Sequence, residues 1–278
     1  MKIIADTATL YTPEQGAALG LDMVTVGVAI DGRSYADYTD ITTAQFLEKI
    51  RAGGVPSSSQ PALGDLLELF ESSPEEMLVL TVGDGLSGGY QTALGAKAAL
   101  AENSSRIHVL NSGSLAGPLR YMARRAAQLR DAGQTVEQIL EKLEKAIRSS
   151  VSFVIPEDFE FLRRSGRLTA ITAKIGGALR LLPVLTQTED RTRITPAAIK
   201  RSWAGALDTI LQRLAALGID RDWLITVSHG CDPEKGENFL RQLSARFPES
   251  ETELLELSPA LLTHGGPGCL VVQAVRKV

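Results

Sequence analysis

Short apolar segments alternate with amphipathic ones over about the first 150 residues of the chain. Residues 77–82, MLVLTV, form an apolar run with β-branched members, which is typical of a strand buried on both faces. Residues 42–52 and 135–147 instead carry apolar side chains at helical spacing behind hydroxyl residues that can cap a helix. This alternation predicts an α/β fold whose sheet is largely parallel and flanked by helices.

The regular alternation stops near residue 160, where shorter segments begin, among them an arginine-rich run at residues 163–167. We therefore predict two α/β domains, an N-terminal one over residues 1–160 and a smaller C-terminal one over residues 161–278. The chain has 278 residues, of which 44% are hydrophobic, so it can supply a core for each domain.

A glycine-rich loop at residues 83–89, GDGLSGG, joins the predicted strand to an alanine-rich segment that favours a helix. The first N–H groups of a helix are unpaired, and the helix dipole favours negative charge beside them. Three functions fit this loop: a dinucleotide-binding G-x-G-x-x-G turn, a hydrolase nucleophile elbow centred on Ser87, and a site for a small anion such as a carboxylate. A turn without a ligand is the fourth interpretation.

The amino-acid composition argues against nucleic acid, membrane and metal as binding partners. The formal net charge is −4, so no basic excess indicates a nucleic-acid groove. No run of 18 apolar residues occurs and no apolar leader opens the chain, so we expect a soluble cytoplasmic protein without stable membrane insertion. The two cysteines and three histidines have no metal-ligand spacing, so we expect neither a metal nor another cofactor.

Two further polar segments are candidates for ligand contact. Asp6 ends the first predicted strand, where open α/β sheets place ligands, although a turn or capping role fits it equally. Residues 57–60 lie in a predicted loop between Pro56 and Pro61 and offer three hydroxyls and an amide. Because proline restricts its neighbours, these groups could be held in a defined geometry; an ordinary helix-capping serine is the alternative.

Four motifs together resemble those of the DegV family of bacterial fatty-acid-binding proteins, which includes the FakB acyl carriers. They occur in family order: PSSSQP at residues 56–61 resembles P-x-T-S-Q-P, LSGGYQTA at 86–93 resembles L-S-G-T-Y-Q-S-A, RSGR at 164–167 resembles K-G-G-R, and THGGPG at 263–268 resembles T-H-T-G-P-G. Ser58 keeps the hydroxyl of a usual threonine, whereas Gly89 and Gly265 replace threonines. Asn111 stands where the family usually has aspartate, which removes a charge.

The resemblance implies two α/β domains that enclose a fatty acid, with the ligand between or beside them. The family's carboxylate contacts carry over to Ser58 and Ser87, with His264 nearby, and we add the backbone N–H of Gly88. A carboxylate in an apolar tunnel is costly unless several donors meet it, and two hydroxyls, an N–H and an imidazole that could carry a proton would do so.

The resemblance also implies a partner and a role. In such carriers a separate dihydroxyacetone-kinase-like fatty-acid kinase converts the bound fatty acid to an acyl phosphate, which links the carrier to phospholipid synthesis. The carrier itself performs no catalysis. Arg167 and Arg201 match residues expected to dock that kinase, although solvated surface charge is the alternative for both.

A serine hydrolase using Ser87 and His264 is the main rival, because the chain order Ser, Asp, His is that of α/β hydrolases. Two features oppose it. The His-Gly-Gly run at residues 264–266 lies near the C-terminus instead of before the serine, and Asp84 separates the strand from the elbow. A dinucleotide enzyme is weaker still, because the second strand ends at Asn111 instead of an acidic residue.

Overall fold

Residues 1–170 and 181–278 are described by the computed structural model, and they divide into two units. The first unit comprises residues 1–148 together with 258–260 and 278, and the second comprises residues 149–257 and 261–277. The predicted boundary after residue 160 lies inside the second unit, because the strand Val151–Ile155 pairs with Leu270–Arg276 of that unit.

The first unit contains seven strands and six α-helices among its described residues. The strands are Lys2–Asp6 (β1), Leu21–Val24 (β2), Gly27–Ile30 (β3), Arg33–Ala36 (β4), Ser57–Ser59 (β5), Met77–Thr81 (β6) and Ile107–Asn111 (β7). The helices are Pro13–Ala18 (α1), Thr43–Arg51 (α2), Leu63–Glu71 (α3), Gly89–Ala99 (α4), Ala116–Asp131 (α5) and Val136–Ser149 (α6).

A four-stranded parallel sheet in the order β2-β1-β6-β7 forms the centre of this unit. All five residues of β6 are buried, as the continuous apolar run predicts. Helices α3 and α4 pack their apolar faces on this sheet, with Leu66 and Ala93 in one core cluster with Ile4 and Val79. The prediction of a parallel sheet flanked by helices is confirmed.

A small antiparallel sheet in the order β4-β3-β5 extends the first unit. The predicted hairpin is confirmed: β3 and β4 pair around Asp31 and Gly32, whose φ angles of 54° and 71° suit a tight hairpin turn. Strand β5 replaces part of the predicted loop between the two prolines. It pairs with β3 so that Ser59 faces Gly27, where a side chain would collide with the Ser59 hydroxyl.

The second unit is built on a six-stranded mixed sheet, so the predicted α/β character of the C-terminal part is confirmed. Its strands are Val151–Ile155 (β8), Leu182–Gln187 (β9), Ile194–Lys200 (β10), Trp223–His229 (β11), Glu251–Glu256 (β12) and Leu270–Arg276 (β13), in the spatial order β10-β9-β8-β13-β11-β12. Its described helices are Phe159–Ser165 (α7), Trp203–Ala215 (α8), Pro233–Arg246 (α9) and Pro259–Gly265 (α10), the last of which begins in the first unit.

Candidate functional site

The glycine-rich loop after β6 is fixed to the loop that follows β7. The N–H of Gly83 donates to the carbonyl of Ser114 at 2.8 Å. A Cβ atom at Gly83 would lie 2.8 Å from the carbonyl carbon of Gly113, so only glycine fits there. The side-chain oxygen of Asn111 accepts from the N–H groups of Asp84 at 3.1 Å and of Gly113 at 3.0 Å. Asn111 thus joins the two strand-end loops, a role that the sequence analysis did not assign.

Ser87 lies just before α4 and contacts the first turn of that helix. Its Oγ accepts from the N–H of Gly89 at 3.2 Å. A hydroxyl that accepts this bond keeps its own hydrogen for donation to a ligand. A nucleophile elbow places its serine directly after the strand, whereas residues 82–86 separate Ser87 from the end of β6.

Ser58 is the inward-facing hydroxyl of its strand. It pairs with Val28, whose side chain is 2% exposed, and paired residues share one face of a sheet. Ser58 is half-buried, whereas Ser57 and Ser59 on the opposite face are exposed. The strand therefore gives Ser58 a direction that its two neighbours do not share.

The segments that hold Ser58 and Ser87 meet. A Cβ atom at Gly88 would lie 3.2 Å from the side-chain amide carbon of Gln60. A Cβ atom at Gly89 would lie 3.8 Å from Cδ of Pro61. The loop after β5 therefore packs directly on the beginning of α4.

A narrow pocket of about 10 Å³, room for about one water molecule, opens beside this contact. Asp6, Pro61, Gly89 and Thr81 line one end, at the carboxyl ends of β1 and β6, and we call this the polar end of the pocket. Apolar residues line the rest: Ala5, Val24, Leu66, Val79, Leu80 and Ala93. Most of these also belong to the core cluster beneath α3 and α4. The pocket thus joins a polar rim to an apolar interior within the first unit.

Asp6 is a buried carboxyl group at the polar end of the pocket, with 4% of its surface exposed. One carboxyl oxygen, Oδ1, accepts from the N–H of Ala8 at 2.9 Å, which confirms the predicted capping role. The other, Oδ2, would lie 3.9 Å from a Cβ atom at Gly89. The pKa of Asp6 is raised to about 7, chiefly by burial; the hydrogen bond from the Ala8 N–H opposes this rise, and the charge of Asp37 adds to it.

Asp37 is a second buried carboxyl group of the first unit. Its Oδ1 accepts from the N–H of Ala260 at 3.2 Å. Burial raises the pKa of Asp37 to about 6, partly offset by hydrogen bonds from the side chains of Thr7 and Ser258 and from the Ala260 N–H. No motif or periodicity marks Asp37, because its burial depends on the segment at residues 258–260 that returns to this unit.

His264 lies in α10, in the second unit. The pKa of its imidazole is lowered to about 4, chiefly by burial and in smaller part by the positive charge of Arg167. This lowered pKa favours a neutral ring near pH 7 over the protonated donor that the sequence left open. A neutral imidazole still donates one hydrogen bond through its single N–H. That His264 meets the two serines stays a prediction.

The two arginines expected at a docking surface differ in their surroundings. Arg167 is half-buried, and its Nη1 donates to the carbonyl of Ser165 at 2.5 Å. Burial lowers the pKa of Arg167, and the neighbouring charge of Arg193 lowers it further. Arg201 is exposed between β10 and α8. The simple description as solvated charge therefore suits Arg201 better than Arg167.

No helix within residues 1–170 or 181–278 combines the length and apolarity needed to cross a bilayer. The same described ranges contain no cluster of three or more histidine, cysteine, aspartate or glutamate side chains arranged to hold a metal ion.

Comparison with known proteins gives consistent matches along the whole chain. The sequence model of a family described as "Uncharacterised protein, DegV family" matches residues 1–277. A DegV domain-containing protein from Listeria innocua is 30% identical and aligns with 96% of this chain and 95% of its own length.

Two solved structures are similar in both fold and sequence. A DegV family protein from Thermus thermophilus, whose structure is described as showing fatty acid binding, has a TM-score of 0.89 and 26% identity, with 99% of each chain covered. A DegV family protein from Ruminococcus gnavus, described with vaccenic acid, has a TM-score of 0.84 and 26% identity, with 98% of each chain covered.

Proposed function

Because this chain belongs to the DegV family, we propose that it binds a long-chain fatty acid. One observation carries the proposal: the segments of Ser58 and Ser87 meet at the polar end of a pocket whose remaining walls are apolar. Fatty acid binding by the relative from Thermus thermophilus and vaccenic acid in the relative from Ruminococcus gnavus give independent support.

In this proposal the hydroxyls of Ser58 and Ser87 and the N–H of Gly88 donate to the carboxylate, with the neutral imidazole of His264 as a further donor. A carboxylate that leaves water without partners loses several kcal/mol, so several donors are needed. Hydrogen bonds to a charged acceptor are worth roughly 1.5–3 kcal/mol each, which is enough to offset that loss. The carboxylate head group therefore fixes the orientation of the fatty acid in the site.

The acyl chain supplies the affinity. In this proposal it enters between the central sheet and helices α3 and α4 by moving apart the side chains of Leu66, Val79 and Ala93, which line the narrow pocket. Each buried methylene contributes about 0.8 kcal/mol, so a long chain outweighs the net contribution of the head group.

Native mass spectrometry of the purified protein tests this function. We expect a bound species of fatty-acid mass, and we expect that delipidated protein takes up added palmitate. A spectrum without ligand after loading would contradict the proposal. A fluorophosphonate probe tests the hydrolase alternative on the same sample, because covalent labelling of Ser87 would favour an esterase over a carrier.

The protein would then act as a carrier that presents its fatty acid to a dihydroxyacetone-kinase-like fatty-acid kinase, with Arg167 and Arg201 at the docking surface. Arg201→Ala should reduce acyl phosphate formation by that kinase without changing lipid retention. Arg221→Ala is the matched control, because Arg221 is an exposed arginine of the same unit. Equal rates for both variants would contradict a docking role for Arg201.

A further inference from the structure

We propose that Asp6 belongs to the head-group site and shares one proton with the carboxyl group of the bound fatty acid. This inference rests on the proposed function and adds to it a residue and a protonation state. Asp6 and Thr81 are the polar side chains that line the pocket, and Asp6 is the one that can ionise at neutral pH.

The position of Asp6 is the first argument. A Cβ atom at Gly89 would lie 3.9 Å from Oδ2 of Asp6 and 3.5 Å from Oγ of Ser87. Both oxygens thus face the same small volume above the beginning of α4. A carboxylate that accepts from Ser87 would come to lie against Asp6.

The hydrogen bonds of Asp6 are the second argument. Oδ1 is engaged by the N–H of Ala8, whereas Oδ2 is the oxygen close to Gly89, which lines the pocket. Two carboxylates in contact repel each other, so one of them must be protonated. The resulting O–H···O⁻ bond is short and strong, because its acceptor is charged.

The charges around Asp6 are the third argument. Among the described residues, Asp37 is the side chain whose charge acts on it, and Asp37 is itself held by Thr7, Ser258 and Ala260. This negative neighbour and the burial of Asp6 both raise the pKa of Asp6, to about 7. In the free protein the proton needed for sharing is therefore bound below about pH 7.

The proton balance follows from these positions. Below about pH 7, Asp6 already holds the proton and an ionised fatty acid binds without proton exchange. Above that pH, Asp6 is ionised in the free protein, so binding takes up one proton from solution. The affinity should then fall by up to about tenfold for each further pH unit.

Calorimetric titration with decanoate, a soluble fatty acid, in two buffers of different ionisation enthalpy measures this uptake. For the unmodified protein we expect nearly one proton taken up at about pH 8 and close to none at about pH 6. Asp6→Asn should bind with no uptake at either pH, because the amide keeps the acceptor for Ala8 and supplies a permanent donor. Asp37→Asn is the matched control and should keep the uptake at about pH 8.

The outcomes separate this inference from the proposed function. Absence of decanoate and palmitate binding at every pH would overturn the fatty-acid proposal itself. Binding of both with pH-independent affinity and no proton uptake would overturn only the role of Asp6. Decanol provides a test without any variant: it has no carboxyl group, so its binding to the unmodified protein should take up no proton at about pH 8.

Discussion

At the scale of single residues, the face of the strand on which a side chain lies distinguishes the candidate binding residue from its neighbours. Ser57, Ser58 and Ser59 are chemically identical, yet only Ser58 shares the buried face of Val28. Strand alternation therefore selects one hydroxyl of three, and a substitution can test that selection.

We predict that Ser58→Ala weakens palmitate binding roughly ten- to one-hundred-fold, because it removes a hydrogen bond to a charged acceptor. Ser57→Ala on the opposite face should leave affinity unchanged. Displacement of a fluorescent fatty acid measures both. Equal affinities for the two variants would mean that Ser58 does not contact the head group.

We predict that the unmodified protein loses stability as the pH rises, because the folded pKa of Asp6, about 7, lies above the ordinary value of 3.8. Stabilisation by the protonated carboxyl group is fully present below about pH 4 and is lost as the pH rises through about 7. Asp6→Asn should flatten this dependence by up to about 3 kcal/mol between about pH 5 and about pH 8. Urea unfolding at the two pH values measures the free energy of unfolding of each protein. The same change with pH in the unmodified protein and in Asp6→Asn would contradict the prediction.

The sequence predicts which side chains have suitable chemistry but not their burial. Ser58 and Ser87 could be identified from motifs, and Asp6 from its place at a strand end. The neutral state of His264 and the raised pKa of Asp37 depend on side chains distant in sequence that exclude water from them. Local patterns hold no record of that packing.

At the scale of elements, the loop between β6 and α4 depends on a second loop for its shape. Gly83 lies close to the backbone of Gly113, and the side-chain oxygen of Asn111 accepts from the N–H of Asp84 in one loop and of Gly113 in the other. The glycine-rich loop at residues 83–89 is thus braced by residues at the end of the neighbouring strand β7 and in the loop after it.

We predict that Gly83→Ala lowers the free energy of unfolding by roughly 1–3 kcal/mol, because its Cβ would lie 2.8 Å from the carbonyl carbon of Gly113. Gly64→Ala in α3 is the control, since a Cβ there meets nothing within 4 Å. That control should gain roughly 0.5–1 kcal/mol through higher helix propensity. Urea unfolding measures the free energy of unfolding of both variants. Equal changes in the two would mean that the loop after β6 does not depend on close contact with the loop after β7.

We predict that Asn111→Ala destabilises the protein by roughly 1–3 kcal/mol, because the N–H groups of Asp84 and Gly113 lose their acceptor. Asn111→Asp should retain most of the stability, since a carboxylate oxygen can accept the same two bonds. Thermal unfolding compares the two variants. A similar loss in both would show that the amide N–H₂ group matters instead.

Element type was more predictable than strand pairing. The hairpin at Asp31 and Gly32 follows from local turn chemistry. Strand β5 escaped prediction because three serines between prolines form a strand only when β3 offers an edge, and Gly27 must leave space for Ser59. Such pairing is a property of two segments, neither of which reveals it alone.

At the scale of the whole molecule, the two units are not continuous segments of the chain. Residues 258–260 belong to the first unit, where Ala260 donates to Asp37, although most of the flanking chain belongs to the second. A change in sequence periodicity cannot reveal a short returning segment, so a boundary drawn at one position misses it.

We predict that the pocket sets the preferred acyl length. Affinity should rise by about 0.8 kcal/mol per methylene until the space that can open between the sheet and helices α3 and α4 is filled. Ala93→Leu, which adds volume at a fully buried position of the lining, should weaken palmitate binding more than decanoate binding. Ala98→Leu on the exposed face of α4 is the control. Unchanged length preference in Ala93→Leu would place the acyl chain elsewhere.

The double acceptor role of Asn111 also bears on how purified samples age. Asn111 precedes a serine, and slow deamidation through a cyclic imide would produce aspartate together with isoaspartate. The carboxylate of aspartate can still receive both backbone N–H groups, so the bracing of the loop survives in that product. In an acidic fraction that appears on an ion-exchange column after storage, the aspartate product would therefore keep this bracing, whereas the isoaspartate product, whose main chain is longer by one carbon, would lose it.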